Sequence, residues 1–304
     1  MDAQFSDWKD FGGVKFPAKI VQHQWKPEYF ELNVATVKIN EAVDLTQQAK
    51  GGGKGGPGGG KGGPGGPGAA KGGAPAASAD VPVEDLGGGF WLVKGGYGSI
   101  IVDFKDYVMI IEASQNDARS AQVAAAIKRL IPNKPVKYIV NTHFHFDHTG
   151  GLRYFAKDGF TLVTHKANKG LYEETLKIPH TLVPDELQKA GNKPKVKVEY
   201  VDEKKVFTDG THTVELYHLQ GSTHNTGMLI VYLPKQKIVL NSDEFNVNNT
   251  APAAPVANPN GYQINLLNEV GRLKLDVERY VPTHLPGDDR KVTAQELRFM
   301  AGKQ

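Results

Sequence analysis

From residue 89 onward the hydrophobic residues fall in short runs, divided by Gly-, Pro- or charge-bearing turns. "GFWLV", "SIIVDF" and "YVMIIEA" read as three short strands. "ARSAQVAAAIKRLI" reads as a helix that Pro132 ends. "VKYIV" is a strand running into a histidine cluster, and "FTLVTH" is another strand. Residues 173–195 are polar and contain proline, which suits a mobile cover. "VKVEYV" and "THTVELYHLQ" follow as strands, and "GMLIVYL" and "KIVLNSDEF" form a hairpin. After a Pro/Asn/Ala loop at 246–260 come the amphipathic helix "YQINLLNEVGRLKLD", the strand "RYVPTH" and the closing helix "VTAQELRFM". Strands and helices alternate, so the class is α/β or α+β.

Before this region the pattern changes twice. "GVKFPAKIVQHQW" and "YFELNVATVKI", within residues 1–45, are β-rich. Forty-five residues are too few for a sheet with its own core, so this piece either packs on the main domain or is the remnant of a truncated one. "FSDWKDFGGVKFPAKI" resembles the closing strands of lipoprotein-carrier-like sheets of bacterial envelope proteins. Between 50 and 73, 15 of 24 residues are glycine. Such a tract has little apolar surface to offset the entropy of ordering, so residues 46–80 read as a flexible linker. The main domain is then 81–304.

Composition narrows the function. The chain has 304 residues, 39% of them hydrophobic, enough for a sizeable core. No apolar run is long enough to span a membrane. The opening residues lack the basic and apolar regions of a signal peptide. The resemblance at the N-terminus points to the periplasm or envelope, with the cytoplasm as the alternative. Cysteine is absent, so any metal must be held by histidine and carboxylate. The net charge of +3 is misleading, because Lys50, Lys54, Lys61 and Lys71 lie in the glycine tract. Setting them aside leaves 32 basic residues against 33 acidic, with no basic face for nucleic acid. A small-molecule substrate is the expected partner. Oligomeric state is not legible.

"NTHFHFDHTGG", residues 141–151, is the strongest local signal. His143 and His145 at i and i+2 leave a strand, so they are expected to point the same way and share one ion. Asp147 and His148 follow in the turn and face a neighbouring position. Gly150 and Gly151 are expected to let the chain turn sharply. A coincidental histidine-rich loop is the bland alternative, and the HxHxDH spacing argues against it. Three isolated residues extend the scheme: His224 in "LQGSTHNTG", Asp243 in "IVLNSDEF" and His284 in "YVPTHLPGD". Each follows a strand, where sites collect.

On these motifs, residues 81–304 resemble the metallo-β-lactamase-fold hydrolases. The resemblance implies a four-layer αββα sandwich of two mixed sheets with the site at one sheet edge. It implies that His143, His145 and His224 hold one metal, that Asp147, His148 and His284 hold a second, and that Asp243 bridges both. Two Zn²⁺ are expected, with Mn, Fe or Co as alternatives. The sequence departs from the family where the usual GHT-P-G is "STHNTG", where Ser242 precedes Asp243, and where Glu112 replaces a common aspartate.

Two metals roughly 3.5–4 Å apart can bridge a water and lower its pKa toward neutrality, giving a hydroxide that attacks a carbonyl or phosphoryl centre. Asp147 is the candidate proton shuttle. A dinuclear hydrolase of cyclic esters or amides, or of related thioesters or phosphodiesters, is the leading reading. Asp243 favours the lactonase, thioesterase and phosphodiesterase branches over a true β-lactamase, which is the runner-up. A mononuclear iron dioxygenase and a non-catalytic metal-stabilised module are the remaining alternatives. His180, in the cover, and Tyr262, after the second loop, are candidate substrate contacts. His23, His165, His212 and His218 read as surface or structural residues.

Overall fold

The computed structural model describes residues 2–23, 28–39 and 81–304. The glycine tract and the rest of the expected linker lie outside the described residues. The chain divides into two compact units, Met1–Gly59 and Gly60–Gln304. The first carries a three-stranded antiparallel sheet of β1 (Asp2–Asp10), β2 (Lys15–His23) and β3 (Glu28–Asn33), in that order. Only the last two overlap the β-rich stretches expected from the pattern. Ala18 and Val21 of β2 are buried, while Phe5, Trp8, Phe30 and Leu32 are exposed, so little core forms within these strands.

The second unit holds two mixed sheets. The seven-stranded sheet runs β10-β9-β8-β7-β6-β5-β4. Its strands are β4 (Val83–Asp85), β5 (Phe90–Val93), β6 (Ser99–Asp103), β7 (Val108–Ile111), β8 (Val136–Val140), β9 (Phe160–His165) and β10 (Val196–Val201). The six-stranded sheet runs in chain order through β11 (Lys204–Thr208), β12 (Thr213–His218), β13 (Leu229–Leu233), β14 (Ile238–Asn241), β15 (Arg279–Pro282) and β16 (Val292–Thr293). β8, β9 and β10 match the expected boundaries residue for residue. β4, β11 and β16 are too short or too charged to show an alternating pattern.

Two-residue periodicity explains the layering. Ile100, Val102, Met109, Ile111, Val140 and Val163 face Val214, Leu216, Leu229, Val231, Leu240 and Val281 across the sheets. Ile101, Ile110, Ile139 and Leu162, of opposite parity, are also fully buried. They lie on the face covered by α1 (Asp117–Leu130) and α3 (Leu152–Ala156). On the far side, Ile230, Tyr232, Val239 and Tyr280 pack with Leu266 and Val270 of α6 (Gly261–Arg272) and Leu297 of α7 (Ala294–Met300). This is the expected αββα sandwich. Between lie three short helices, α2 (Phe146–Thr149), α4 (Leu171–Thr175) and α5 (Glu186–Lys189).

Candidate metal centre

The chain leaves β8 at Val140, so His143 and His145 are not on a strand. Strand alternation therefore does not orient them. They converge because an irregular turn bends into α2, and they do so through different ring atoms. His143 Nε2 and His224 Nε2 both lie 3.0 Å from His145 Nδ1. One proton can satisfy only one of these two contacts, whereas one cation satisfies all three nitrogens. Asp243 Oδ2 closes the group, 2.9 Å from His224 Nε2 and 3.5 Å from His143 Nε2.

The other oxygen of the same carboxylate serves a second group. Asp243 Oδ1 lies 3.1 Å from His148 Nε2 and 2.9 Å from His284 Nε2. Asp147 Oδ2 completes it, 3.5 Å from His148 Nε2 and 3.4 Å from His284 Nε2. All seven residues expected to be ligands thus fall into two groups of four donors that share Asp243. The spacing fits divalent cations: bonds of about 2.0–2.1 Å in tetrahedral arrangement place neighbouring donors roughly 3.3 Å apart.

The two carboxylates of the cleft stay ionised against burial because the histidines around them donate to them. Burial works to raise the Asp243 carboxyl, but hydrogen bonds from His143, His145, His148 and His224 hold it far below the usual carboxylate range. Burial also opposes ionisation of Asp147, yet the bond from His284 and the charge of His148 bring it down to about 2. Burial lowers His143 to about 3. His148 goes the other way, up to about 10, because the charge of Glu112 and the bonds to Asp243 and Glu112 outweigh burial. His284 rises to about 9 against burial, through its bonds to Asp147 and Asp243. The cleft holds two anionic carboxylates among imidazoles, a donor set suited to divalent metal.

Glu112, which in the sequence stands out only as a departure from the family pattern, is the main supporting residue. It is fully buried and adopts φ +69°, a conformation uncommon outside glycine. Its Oε1 accepts from the Thr142 backbone N–H at 2.8 Å, and its Oε2 lies 2.6 Å from His148 Nδ1. A carboxylate can only accept, so His148 Nδ1 carries a proton toward Glu112, which leaves Nε2, facing Asp243 and the cleft, as the nitrogen at which an ion would replace a proton. Ser222 is a second supporting residue: its hydroxyl accepts from the N–H groups of His224 and Asn225 and donates to buried Glu244.

Gly150 and Gly151 are needed for a different reason from the expected one. Their φ values are −61° and −90°, ordinary helical geometry rather than a sharp turn. A Cβ on Gly150 would lie 1.9 Å from the Gln115 carbonyl oxygen, and one on Gly151 would lie 2.2 Å from Ser120 Oγ. The glycines let the donor-bearing turn press against the loop that follows β7.

Tyr262 begins α6 with its ring 5.7 Å from that of His224, beside the first group. His180 is exposed and pairs with Asp185 at 2.8 Å. Its loop is held at the base by Arg153, which donates to the carbonyls of Leu176 and Ile178 and to Asn192 and Asp185. His165 and His218 stack on one another, and His212 pairs with Asp209. Tyr97 is not among the residues the motifs mark, yet its hydroxyl donates to Asp147 Oδ2 at 3.3 Å. The only signal for it is an aromatic residue at a glycine-rich hairpin tip.

An αββα sandwich with two His/Asp groups at the ends of its strands defines a metal-binding, hydrolase-type fold. Residues 91–284 match the family model of the metallo-β-lactamase superfamily, and this chain belongs to that superfamily. Among solved structures, it is similar to a metallo-β-lactamase from Pontibacter korlensis at 20% identity, covering 74% of this chain and 100% of that one, with TM-score 0.53. It is also similar to a metallo-β-lactamase from Hirschia baltica at 17% identity, covering 73% of this chain and 96% of the other, with TM-score 0.52. These likenesses establish the fold. A curated relative, the 2,4-dinitroanisole O-demethylase subunit alpha of Nocardioides sp. (strain JS1661), is 25% identical over 202 residues, 66% of this chain. The match spans 56% of that relative's length. Among the described residues no helix is long and apolar enough to cross a membrane.

Proposed function

We propose that this protein is a hydrolase that works with two divalent ions, one in each donor group. The observation that carries the reading is Asp243: its two oxygens face two separate sets of histidines. His143, His145, His224 and Asp243 Oδ2 would hold one ion, and Asp147, His148, His284 and Asp243 Oδ1 the other. Zinc is the first candidate, because an imidazole and carboxylate set at this spacing suits it. Such a pair supplies Lewis acidity and an activated water. The chain supplies orientation: Glu112 fixes the His148 tautomer, and Ser222 fixes the backbone that carries His224. Asp147 is the more open of the two carboxylates, its side chain 20% exposed against 10% for Asp243, so it is the one a departing proton can reach.

The substrate class that fits is an ester, lactone, thioester or phosphodiester, with β-lactams as the runner-up. The relative named as an O-demethylase subunit adds activated aryl methyl ethers to the panel. The test is to load the full-length protein with zinc, manganese, iron or cobalt and screen all of these classes. Turnover that chelation abolishes and metal restores is expected in at least one class. No turnover with any metal on any class overturns the hydrolase reading.

A further inference from the structure

Tyr97 lies in the turn between β5 and β6, and its backbone is held from two sides. Arg119 of α1 donates to the carbonyl of Val93 at 2.8 Å and to those of Lys94 and Tyr97 at 2.7 Å each. Gly95, at φ +128°, lies so close that a Cβ there would meet the guanidinium at 2.9 Å. From the other side, Gly98 donates to the Thr283 carbonyl at 2.7 Å, and Leu285 donates to Gly96 at 2.9 Å. Tyr97 and His284 thereby form an antiparallel bridge.

A side chain on so fixed a backbone can fix others. The Tyr97 ring packs against His284, with centroids 4.6 Å apart, and its hydroxyl donates to Asp147 Oδ2 at 3.3 Å. These are the two donors of the second group with the most open side chains, 33% and 20% exposed. His148 is held separately by Glu112, and Asp243 is shared with the first group. Each of these contacts of Tyr97 falls on the second group.

We propose that Tyr97 is a positioning residue that sets the affinity of the second donor group for its ion, and so decides whether the site is loaded with one ion or two. The physical ground is preorganisation: freezing Asp147 and His284 in place beforehand removes an ordering cost from binding. The proposal rests on the reading that both groups hold ions.

The experiment is a stepwise zinc titration of chelator-stripped full-length protein, read by calorimetry and by competition with a chromophoric chelator. Tyr97→Phe keeps the ring and loses the hydroxyl. It should weaken the second binding step about 10-fold, at the lower end of what losing an outer-shell partner costs, and leave the first step unchanged. Tyr97→Ala, which also loses the ring against His284, should weaken the second step about 100-fold with the first again unchanged. Cobalt(II) absorption, added stepwise, should show the first site filling normally in both variants. A wild-type second step that neither variant moves overturns the role of Tyr97 alone, as does an equal shift of both steps. A wild type that takes up one ion overturns the two-ion reading, and this one with it.

Discussion

Asp243 places an oxygen in each donor group, and that decides what its loss does. Asp243→Ala removes a donor from both groups and the negative charge that would offset repulsion between the two dications proposed for a site of low effective dielectric. At least one ion should leave, and turnover with it; Asp243→Ser should be gentler because it leaves a donor in place. Metal analysis beside a turnover assay checks this, and retention of both ions with near-wild-type turnover would remove Asp243 from the centre of the site. Glu112→Gln keeps the shape but lets a neutral amide replace the anion facing His148 Nδ1. Affinity for the second ion should fall about 10- to 100-fold, measurable in the same titration. Both residues stand next to strand ends, but only Asp243 carries a motif that marks it in the sequence.

At the scale of elements, α2 and α3 bring the donor-bearing turn against the end of β7, and two glycines set that distance. Gly150→Ala would push a methyl into the Gln115 carbonyl at 1.9 Å. An overpacked interior contact of this kind costs about 1–3 kcal/mol or more, so the melting temperature should fall by several degrees. Gly271→Ala is the matched control, since it lies in α6 with nothing within 4 Å of a new Cβ. There the lower backbone entropy of alanine should stabilise by roughly 0.5–1 kcal/mol. Thermal melts of the two variants should move in opposite directions; a neutral Gly150→Ala would show that the turn yields.

Across the whole second unit, Glu84 of β4 ties the edge of one sheet to the other. Its carboxylate accepts from Arg279 Nη1 and Nη2 at 2.7 and 3.0 Å, and Lys94 and Lys291 lie 3.4 Å away. The Arg279 hydrogen bond, against burial, brings its carboxyl down from 4.5 to about 2. A carboxyl depressed on folding stabilises the fold above its ordinary pKa, and that stability is lost as pH falls through the folded value. The pair's contribution is therefore complete above about pH 5 and is lost between about pH 4.5 and pH 2. Glu84→Gln should lower stability at neutral pH and flatten this part of the acid dependence, as followed by urea unfolding at several pH values. An unchanged acid profile would place the acid sensitivity in other carboxylates.

The alternating runs of Val, Ile and Leu and the spacing HxHxDH settle much by themselves. Short strands between turn residues and a helix ended by Pro132 follow from the local pattern, which needs no partner to be read. All seven donors are named from the sequence, four by the HxHxDH spacing and three by strand-end position and the family resemblance, because metal chemistry restricts the side chains that can serve. Tertiary structure decided the rest. It set which oxygen of Asp243 faces which histidines, which ring nitrogen each imidazole presents, and why Gly150 must lack a Cβ. It also gave Glu112 and Tyr97 their parts. Each of these depends on atoms tens of residues apart, such as Tyr97 and Asp147 or Glu112 and His148. No local pattern carries such a distance: Glu112 meets His148 because β7 pairs with β8, and Asp243, which follows β14 of the other sheet, reaches the same histidines only when the two sheets pack.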